Sequence, residues 1–246
     1  MLNIVVPMAG VSSFFDTKRD GFPKVFFEIC GRTMLELFVE NFSPLKNKRF
    51  IFIAKEEDND CFGIDEALRN LAGEQSLCLC IKNETQGMLC TAMLAAEHIE
   101  NDTPLLIVNC DQIFNERLDD RLEMMGKFDA GVLSFESIHP RYAYVLCDAS
   151  NLVLQAFEKK PVSKNAVAGF YYFKSGKLFM EAAKNTIRKE NHFEGKFFIA
   201  PALNELILKN KKVLNIPINK DKYFTFYSPK KIEEYERLRG KLNENF

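Results

Sequence analysis

Within the first 110 residues, short apolar runs alternate with segments of helical spacing. Residues 2–6 form an apolar run stopped by Pro7. Runs at 49–54, 77–82 and 104–110 read as further strands. Between them, residues 33–42 place Leu35, Phe38, Val39 and Phe42 on one helical face, and Thr33 with Glu36 forms the capping-box pattern of a helix start. Residues 64–71 and 88–98 also read as helices. Wholly apolar strands must be covered on both faces, and strand–helix–strand order supplies the crossovers of a parallel sheet. The chain is therefore expected to be α/β, in three layers, with a mixed, mostly parallel sheet and helices on both faces.

After Asp111 the rhythm changes. Residues 130–135, 143–147, 152–157 and 167–173 are strand-like and close together. Helices are expected at 177–187, 198–208 and 229–242, with a short strand at 213–217. There is no Gly/Ser linker, repeat or low-complexity tract. The expectation is one domain over residues 1–246, whose second half adds a small β-rich subregion.

Composition removes several function classes. At 246 residues, 47% of them hydrophobic, the chain can bury a sizeable core and is not disordered. Lys plus Arg number 33 against 34 for Asp plus Glu, a net charge of −1, which argues against nucleic acid and anionic membrane surfaces as partners. The longest nearly apolar stretches, such as 88–96, are too short to span a membrane. Residues 1–9 lack the basic lead-in and cleavage pattern of a signal peptide and read as a first strand. The seven cysteines form no CxxC pair and sit mostly in apolar runs, which suits reduced, buried thiols in a cytoplasm. Histidines 98, 139 and 192 are scattered and offer no zinc spacing.

In parallel α/β sheets, ligands bind at the carboxyl ends of the strands. Three segments fall there. The first runs from Pro7 to Lys24 and includes Ala9, Gly10, Val11, Ser12 and Ser13. A small-residue turn with hydroxyls and free N–H groups can cradle phosphates, and Pro23 fixes the chain before Lys24, a cation for them. An ordinary loop with a solvated lysine is an equal reading, since the single glycine matches neither a P-loop nor a G-x-G-x-x-G fingerprint. The second segment, 84–87, holds Gln86 and Gly87. The third ends in Asp111 and Gln112, and a carboxylate at a strand's end suits a hard cation.

The opening resembles the signature of the sugar-phosphate nucleotidyltransferases, the family that makes nucleotide sugars. The matching residues are 4–9, the loop 10–13 and Pro23-Lys24. Glu84-Thr85-Gln86-Gly87 with Thr91-Ala92 resembles the base-recognising segment, and Asn109-Cys110-Asp111-Gln112 the motif that binds Mg²⁺ through Asp111. His139-Pro140-Arg141-Tyr142, Glu158-Lys159-Lys160-Pro161 and Ala166-x-Ala168-Gly169 continue the match. The resemblance implies a Rossmann-like, GT-A-type fold, with residues 1–112 on the nucleotide and 113–246 on the acceptor. Lys24 and residues 9–13 would hold the triphosphate, and Gln86 and Gly87 the base. Arg141, Glu158, Lys159 and Gly169 would line the acceptor site, with Lys159 on its phosphate. The implied reaction joins an NTP to a phosphorylated sugar or small polyol with release of pyrophosphate. It would serve nucleotide-sugar and polysaccharide biosynthesis in the cytoplasm, with Mg²⁺ as cofactor and a homo-oligomer left open.

Three places depart from the family pattern, one of them Gly195-Lys196-Phe197-Phe198, where members often carry Gly-Glu-Phe-Tyr. Phe14 stands where the loop carries an arginine, and Thr225 where a second metal-binding Asp is common. Arg19, and after it Lys18, is the expected substitute for the missing guanidinium. A catalytically impaired nucleotide-binding paralogue and a glycosyltransferase of the same fold stay open as alternatives.

Overall fold

The computed structural model describes residues 1–10 and 12–243. The chain begins with β1 (Leu2–Pro7), a short helix α1 (Thr17–Asp20), a small hairpin of β2 (Glu28–Ile29) and β3 (Arg32–Thr33), and α2 (Met34–Asn41). It continues through β4 (Lys48–Lys55), α3 (Glu56–Phe62), α4 (Ile64–Ala72), β5 (Leu77–Ile81), α5 (Met88–Met93), α6 (Ala96–Ile99) and β6 (Leu105–Val108). The second half comprises β7 (Gln112–Phe114), α7 (Leu118–Met125), β8 (Ala130–Glu136), β9 (Tyr144–Cys147), β10 (Val153–Phe157) and β11 (Asn165–Phe173). It closes with α8 (Gly176–Arg188), α9 (Ile199–Ile207), β12 (Val213–Pro217), β13 (Tyr223–Thr225) and α10 (Pro229–Asn243).

One nine-stranded sheet runs through the chain in the order β10-β9-β11-β6-β1-β4-β5, with β8 joined to β11 and β12 to β8. β4 and β6 pair with β1 in parallel, as do β5 with β4 and β12 with β8; β11 runs against β6, β8 and β9, and β10 against β9. Only β10 and β11 therefore point the other way. The sheet is mixed and mostly parallel, in agreement with the sequence pattern.

The apolar runs form strands because alternate side chains feed two separate cores. Val5, Ile51, Ile53, Leu105 and Ile107 face one side, where α5, α8 and α9 cover them. Ile4, Val6, Phe50, Phe52, Leu106 and Val108 face the other, under α2, α4 and α7. Helix α2 starts at the capping box: Thr33 accepts from the Glu36 N–H, and the Glu36 carboxylate accepts from the Thr33 N–H at 2.6 Å. At its far end, the Asn41 amide bonds both the N–H and the carbonyl of Phe114, pinning β7.

Several expectations need correction. The helix expected at 88–98 is two, broken at Leu94 and Ala95. Helices α3 and α7 were not foreseen: both are short and strongly acidic at their starts, with little apolar stripe. The cysteines are free but not buried. Cys30, Cys61 and Cys80 are exposed and the other four half-buried, because apolar neighbours in sequence do not cover an edge strand such as β5, which holds Cys78 and Cys80. Among the described residues no helix is long and apolar enough to cross a membrane.

Candidate active site

The carboxyl ends of β1 and β6 lie side by side, because the two strands pair in register from Asn3 with Leu105 to Val5 with Ile107. The segments leaving these two strands therefore meet in space. After β6 comes Asp111; after β1 comes the loop through Ser12 to a 3₁₀ turn that begins at Lys24, positioned by the extended backbone of Pro23. The Lys24 ammonium donates to Asp111 Oδ2 at 2.5 Å, with both side chains about four-fifths buried. It also sits 5.2 Å from the centre of the Phe15 ring.

This ion pair stands between two cavities. One, of about 520 Å³, is walled by Met8, Gly10, Ser12, Lys18, Lys24 and Cys110. The other, of about 220 Å³, is walled by Asp111, Arg141, Glu158, Lys159, Gly169 and Thr225. A larger cavity of about 760 Å³ lies between α2, α7 and α10 and includes neither member of the ion pair.

In the first cavity, the Ser12 hydroxyl accepts weakly from the N–H groups of Phe14 and Phe15, at 3.3 and 3.2 Å, which rounds the loop. Gly10 and Ser13 are exposed, whereas Ala9 is buried in the core and does not line the cavity. Val11 lies outside the described residues. Lys18 forms part of the wall. Arg19 points to its neighbour: the guanidinium bonds both oxygens of Asp20, at 2.7 and 3.0 Å, and the Phe14 carbonyl at 2.8 Å. The pairing raises the Arg19 pKa and lowers that of Asp20.

In the second cavity, the two cations rest on aromatic rings. The Lys159 ammonium lies 4.9 Å from the Phe193 ring centre and 4.8 Å from that of Phe198. Its backbone has φ 53°, a left-handed conformation that a lysine rarely adopts, and such strain concentrates at functional sites. The Arg141 guanidinium lies over Tyr227. Beside them, burial pushes the Glu158 carboxyl up to about 7, opposed by the positive charge of Lys159. Such groups accumulate at functional sites.

Two glycines owe their place to the protein's own packing. Gly169 has φ 58°, within an irregular stretch of β11, and a Cβ there would lie 2.4 Å from the Asn109 amide. Its carbonyl accepts from Asn109 N at 3.1 Å and from the buried Gln112 amide at 3.0 Å, so β11 clamps both flanks of Asp111. Gly87 has φ 106°, and a Cβ there would meet the Phe197 carbonyl oxygen at 2.4 Å. The side chain of Gln86 is exposed, and neither Gln86 nor Gly87 lines either cavity.

Sequence reasoning missed how Thr225 reaches the site. Residues 112–114 and 223–225 are too short to stand out as strands, yet β13 pairs with β7 so that Thr225 lies opposite Gln112. The Phe226 N–H then donates to the Asp111 carbonyl at 2.8 Å. Tyr227 and the two phenylalanines around Lys159 were also missed, and only their aromatic character near charged motif residues hinted at them.

Asp111 is suited to Mg²⁺ as part of a larger set of ligands. Its Oδ1 accepts no hydrogen bond among the described residues, and the Thr225 hydroxyl shares its cavity. No group of three ligand-type side chains occurs among the described residues. Mg²⁺ commonly takes one or two carboxylates and completes its shell with water and substrate phosphates, so this donor set fits a metal held together with a nucleotide.

The model of the family described as "Nucleotidyl transferase" matches residues 19–220. No curated protein matches the chain. Among solved structures, the chain is similar to a nucleoside-diphosphate-sugar pyrophosphorylase from Vibrio cholerae RC9, with TM-score 0.83 and 24% identity over 95% of this chain and 99% of that one. It is similar to a glucose-1-phosphate thymidylyltransferase from Bacillus anthracis, described as putative, with TM-score 0.79 and 16% identity over 97% and 95% of the two chains. It also resembles the inositol-1-phosphate CTP transferase from T. maritima, with TM-score 0.73 and 14% identity over 95% and 93%. At these identities the likeness establishes the fold, while the family match spans most of the chain and reaches Lys24, Asp111 and Lys159. The chain belongs to the nucleotidyl transferase family.

Proposed function

We propose that the protein joins an NTP to a phosphorylated sugar or small polyol. An acceptor phosphate oxygen attacks the α-phosphorus, the new P–O bond forms as the bond to the β-phosphate bridging oxygen breaks, and pyrophosphate leaves with that electron pair. The nucleophile is already an anion, so no general base is needed, and catalysis consists of alignment and charge compensation. The observation that carries this reading is the Lys24–Asp111 pair at the junction of two cavities, one edged by Gly10 and Ser12, the other lined by the two cations Arg141 and Lys159.

In this reading the exposed turn at Gly10, Ser12 and Ser13 binds the triphosphate, and Lys24 turns from Asp111 toward its oxygens. Lys18 contributes from the cavity wall, and Arg19 joins it on release from Asp20. Gln86 and Gly87, with an exposed amide beside a turn, recognise the base. Lys159 and Arg141 hold the acceptor phosphate, and Glu158 contacts its hydroxyls. Asp111 would hold Mg²⁺, which when bound offsets phosphate charge. The free thiols suit a reducing, cytoplasmic setting, where the product would feed polysaccharide synthesis.

A matrix of four NTPs against phosphorylated sugars and polyols, read as pyrophosphate release, tests this reading. Release with at least one pair is expected. Nucleotide binding without release for any pair would replace it with the impaired paralogue that Phe14 and Thr225 favour. Release of nucleoside diphosphate from a nucleotide sugar would mark a glycosyltransferase.

A further inference from the structure

Arg141 is half-buried, and its guanidinium carbon lies 3.2 Å from the centre of the Tyr227 ring. Tyr142 stands further off, at 5.8 Å. Among the described residues no carboxylate or carbonyl accepts from this guanidinium: the hydrogen bond that Arg141 does make is from its backbone N–H to His139 Nδ1. An arginine normally spends its donors on carboxylates. Here one face is covered by a phenol ring and the in-plane donors stay unspent beside the cavity that holds Asp111 and Lys159.

Tyr227 is well placed for such a hold. It comes directly after Phe226, whose N–H bonds the Asp111 carbonyl, so its backbone is fixed to the residue at the centre of the site. Phe226 itself is buried among Phe15, Ile29 and Tyr235. On the loop side, the Tyr227 ring meets Phe14 with centroids 6.0 Å apart and planes tilted by 56°. The ring thus has a neighbour on the loop as well as on Arg141.

We propose that Tyr227 is a positioning residue: its ring holds the Arg141 guanidinium flat, with its donors free, so that the guanidinium grips two oxygens of an acceptor phosphate at once. Stacking restrains a long side chain before the ligand arrives, which removes that ordering cost from binding. The inference rests on the nucleotidyl-transfer reading for the identity of the ligand, not for the geometry.

Two variants separate the ring from the rest of the residue. Tyr227→Phe keeps the stacking surface, and Tyr227→Leu removes it. In kinetics read by pyrophosphate, Tyr227→Phe should stay within about twofold of the parent. Tyr227→Leu should raise the acceptor KM about tenfold or more while the NTP KM holds. Arg141→Ala should do the same, and adding Tyr227→Leu to Arg141→Ala should change nothing further. An unchanged acceptor KM in Tyr227→Leu, or additive effects in the double variant, would overturn the proposal.

A second measurement does not need turnover. The Arg141 Nε–H resonance, assigned by its loss in Arg141→Ala, should be displaced by the ring current in the parent and in Tyr227→Phe but not in Tyr227→Leu. Titration with inorganic phosphate should move it in the first two proteins and much less in the third. Equal responses in all three would refute the positioning role even if no acceptor is ever turned over. Failure of the matrix experiment alone would instead remove the proposed reaction.

Discussion

Lys24 and Asp111, 87 residues apart in sequence, form an ion pair at 2.5 Å that stands between the cavity walled by Ser12 and Lys18 and the cavity walled by Arg141 and Lys159. A lysine and a carboxylate that are both about four-fifths buried leave each group dependent on the other for its charge partner. Asp111→Asn keeps the shape and removes the charge. We expect turnover to fall by at least 10²-fold, with the far-ultraviolet circular dichroism unchanged. Parental turnover in this variant would take Asp111 out of the chemistry.

Lys18 and Arg19 are adjacent but differently placed, one on the cavity wall and the other bonded to Asp20. Lys18→Ala should raise the NTP KM by about tenfold, the loss of one charge-assisted contact. Arg19→Ala should have the smaller effect unless nucleotide draws Arg19 away from Asp20. Asp20→Ala tells the two apart, because freeing the guanidinium should then tighten NTP binding. A silent Lys18→Ala with a crippled Arg19→Ala would show that the loop rearranges when nucleotide binds.

Lys159 has two phenyl rings and a strained backbone but no carboxylate within ion-pair distance among the described residues. Lys159→Ala should raise the acceptor KM by 10-fold or more, corresponding to about 1.5–3 kcal/mol for a hydrogen bond to a charged group. The NTP KM should barely move. Equal changes in both constants would assign the residue to the fold.

Glu158 carries a pH signature. Its carboxyl titrates at about 7 in the folded chain, against an ordinary value of 4.5, because burial disfavours the anion. The folded state therefore binds the proton more tightly than the unfolded state. Its contribution to stability is greatest at acid pH and declines as pH rises from about 4.5 to about 7. Removing this ionisation with Glu158→Gln should flatten that part of the Tm–pH curve. If the cavity shared by Glu158 and Lys159 takes the acceptor phosphate as proposed, the ionised form sets a negative charge near it, so the acceptor KM should rise through neutral pH in the parent more than in Glu158→Gln. Parallel curves for the two proteins would deny Glu158 a shifted pKa.

Gly87→Ala tests a purely structural claim. The backbone has φ 106°, and the added methyl would stand 2.4 Å from a backbone oxygen that cannot turn aside. A cost of about 2 kcal/mol or more in urea unfolding is expected, beyond the usual Gly→Ala effect. A fully stable Gly87→Ala would mean that the segment around Phe197 yields easily.

The strands and main helices could be read from the chain because burial on both faces writes itself into the sequence as unbroken runs such as residues 50–54. The capping box at Thr33 was legible because its partners are only three residues apart. The links that join residues across the chain were not. Thr225 reaches Asp111 through a three-residue pairing that carries no periodic signal. Nor could the sequence show that Gly87 packs against Phe197 and Gly169 against Asn109, partners about 110 and 60 positions away. Tyr227 could not be linked to Arg141 by spacing, since 86 positions separate them and nothing in a phenol announces which cation it will meet.

The small third core joins Phe15, from the loop after β1, to Phe226, Ile232 and Tyr235 at the far side of the sequence, and the Cys30 N–H is capped by the Glu236 carboxylate. Synthesis on the ribosome is directional, so this loop is made early and its buttress some 200 residues later. For most of translation the nascent chain thus carries this loop without the apolar partners that bury Phe15 in the folded protein. That loop gains its full packing only when residues 226–236 fold back onto it, a contact between segments some 200 positions apart.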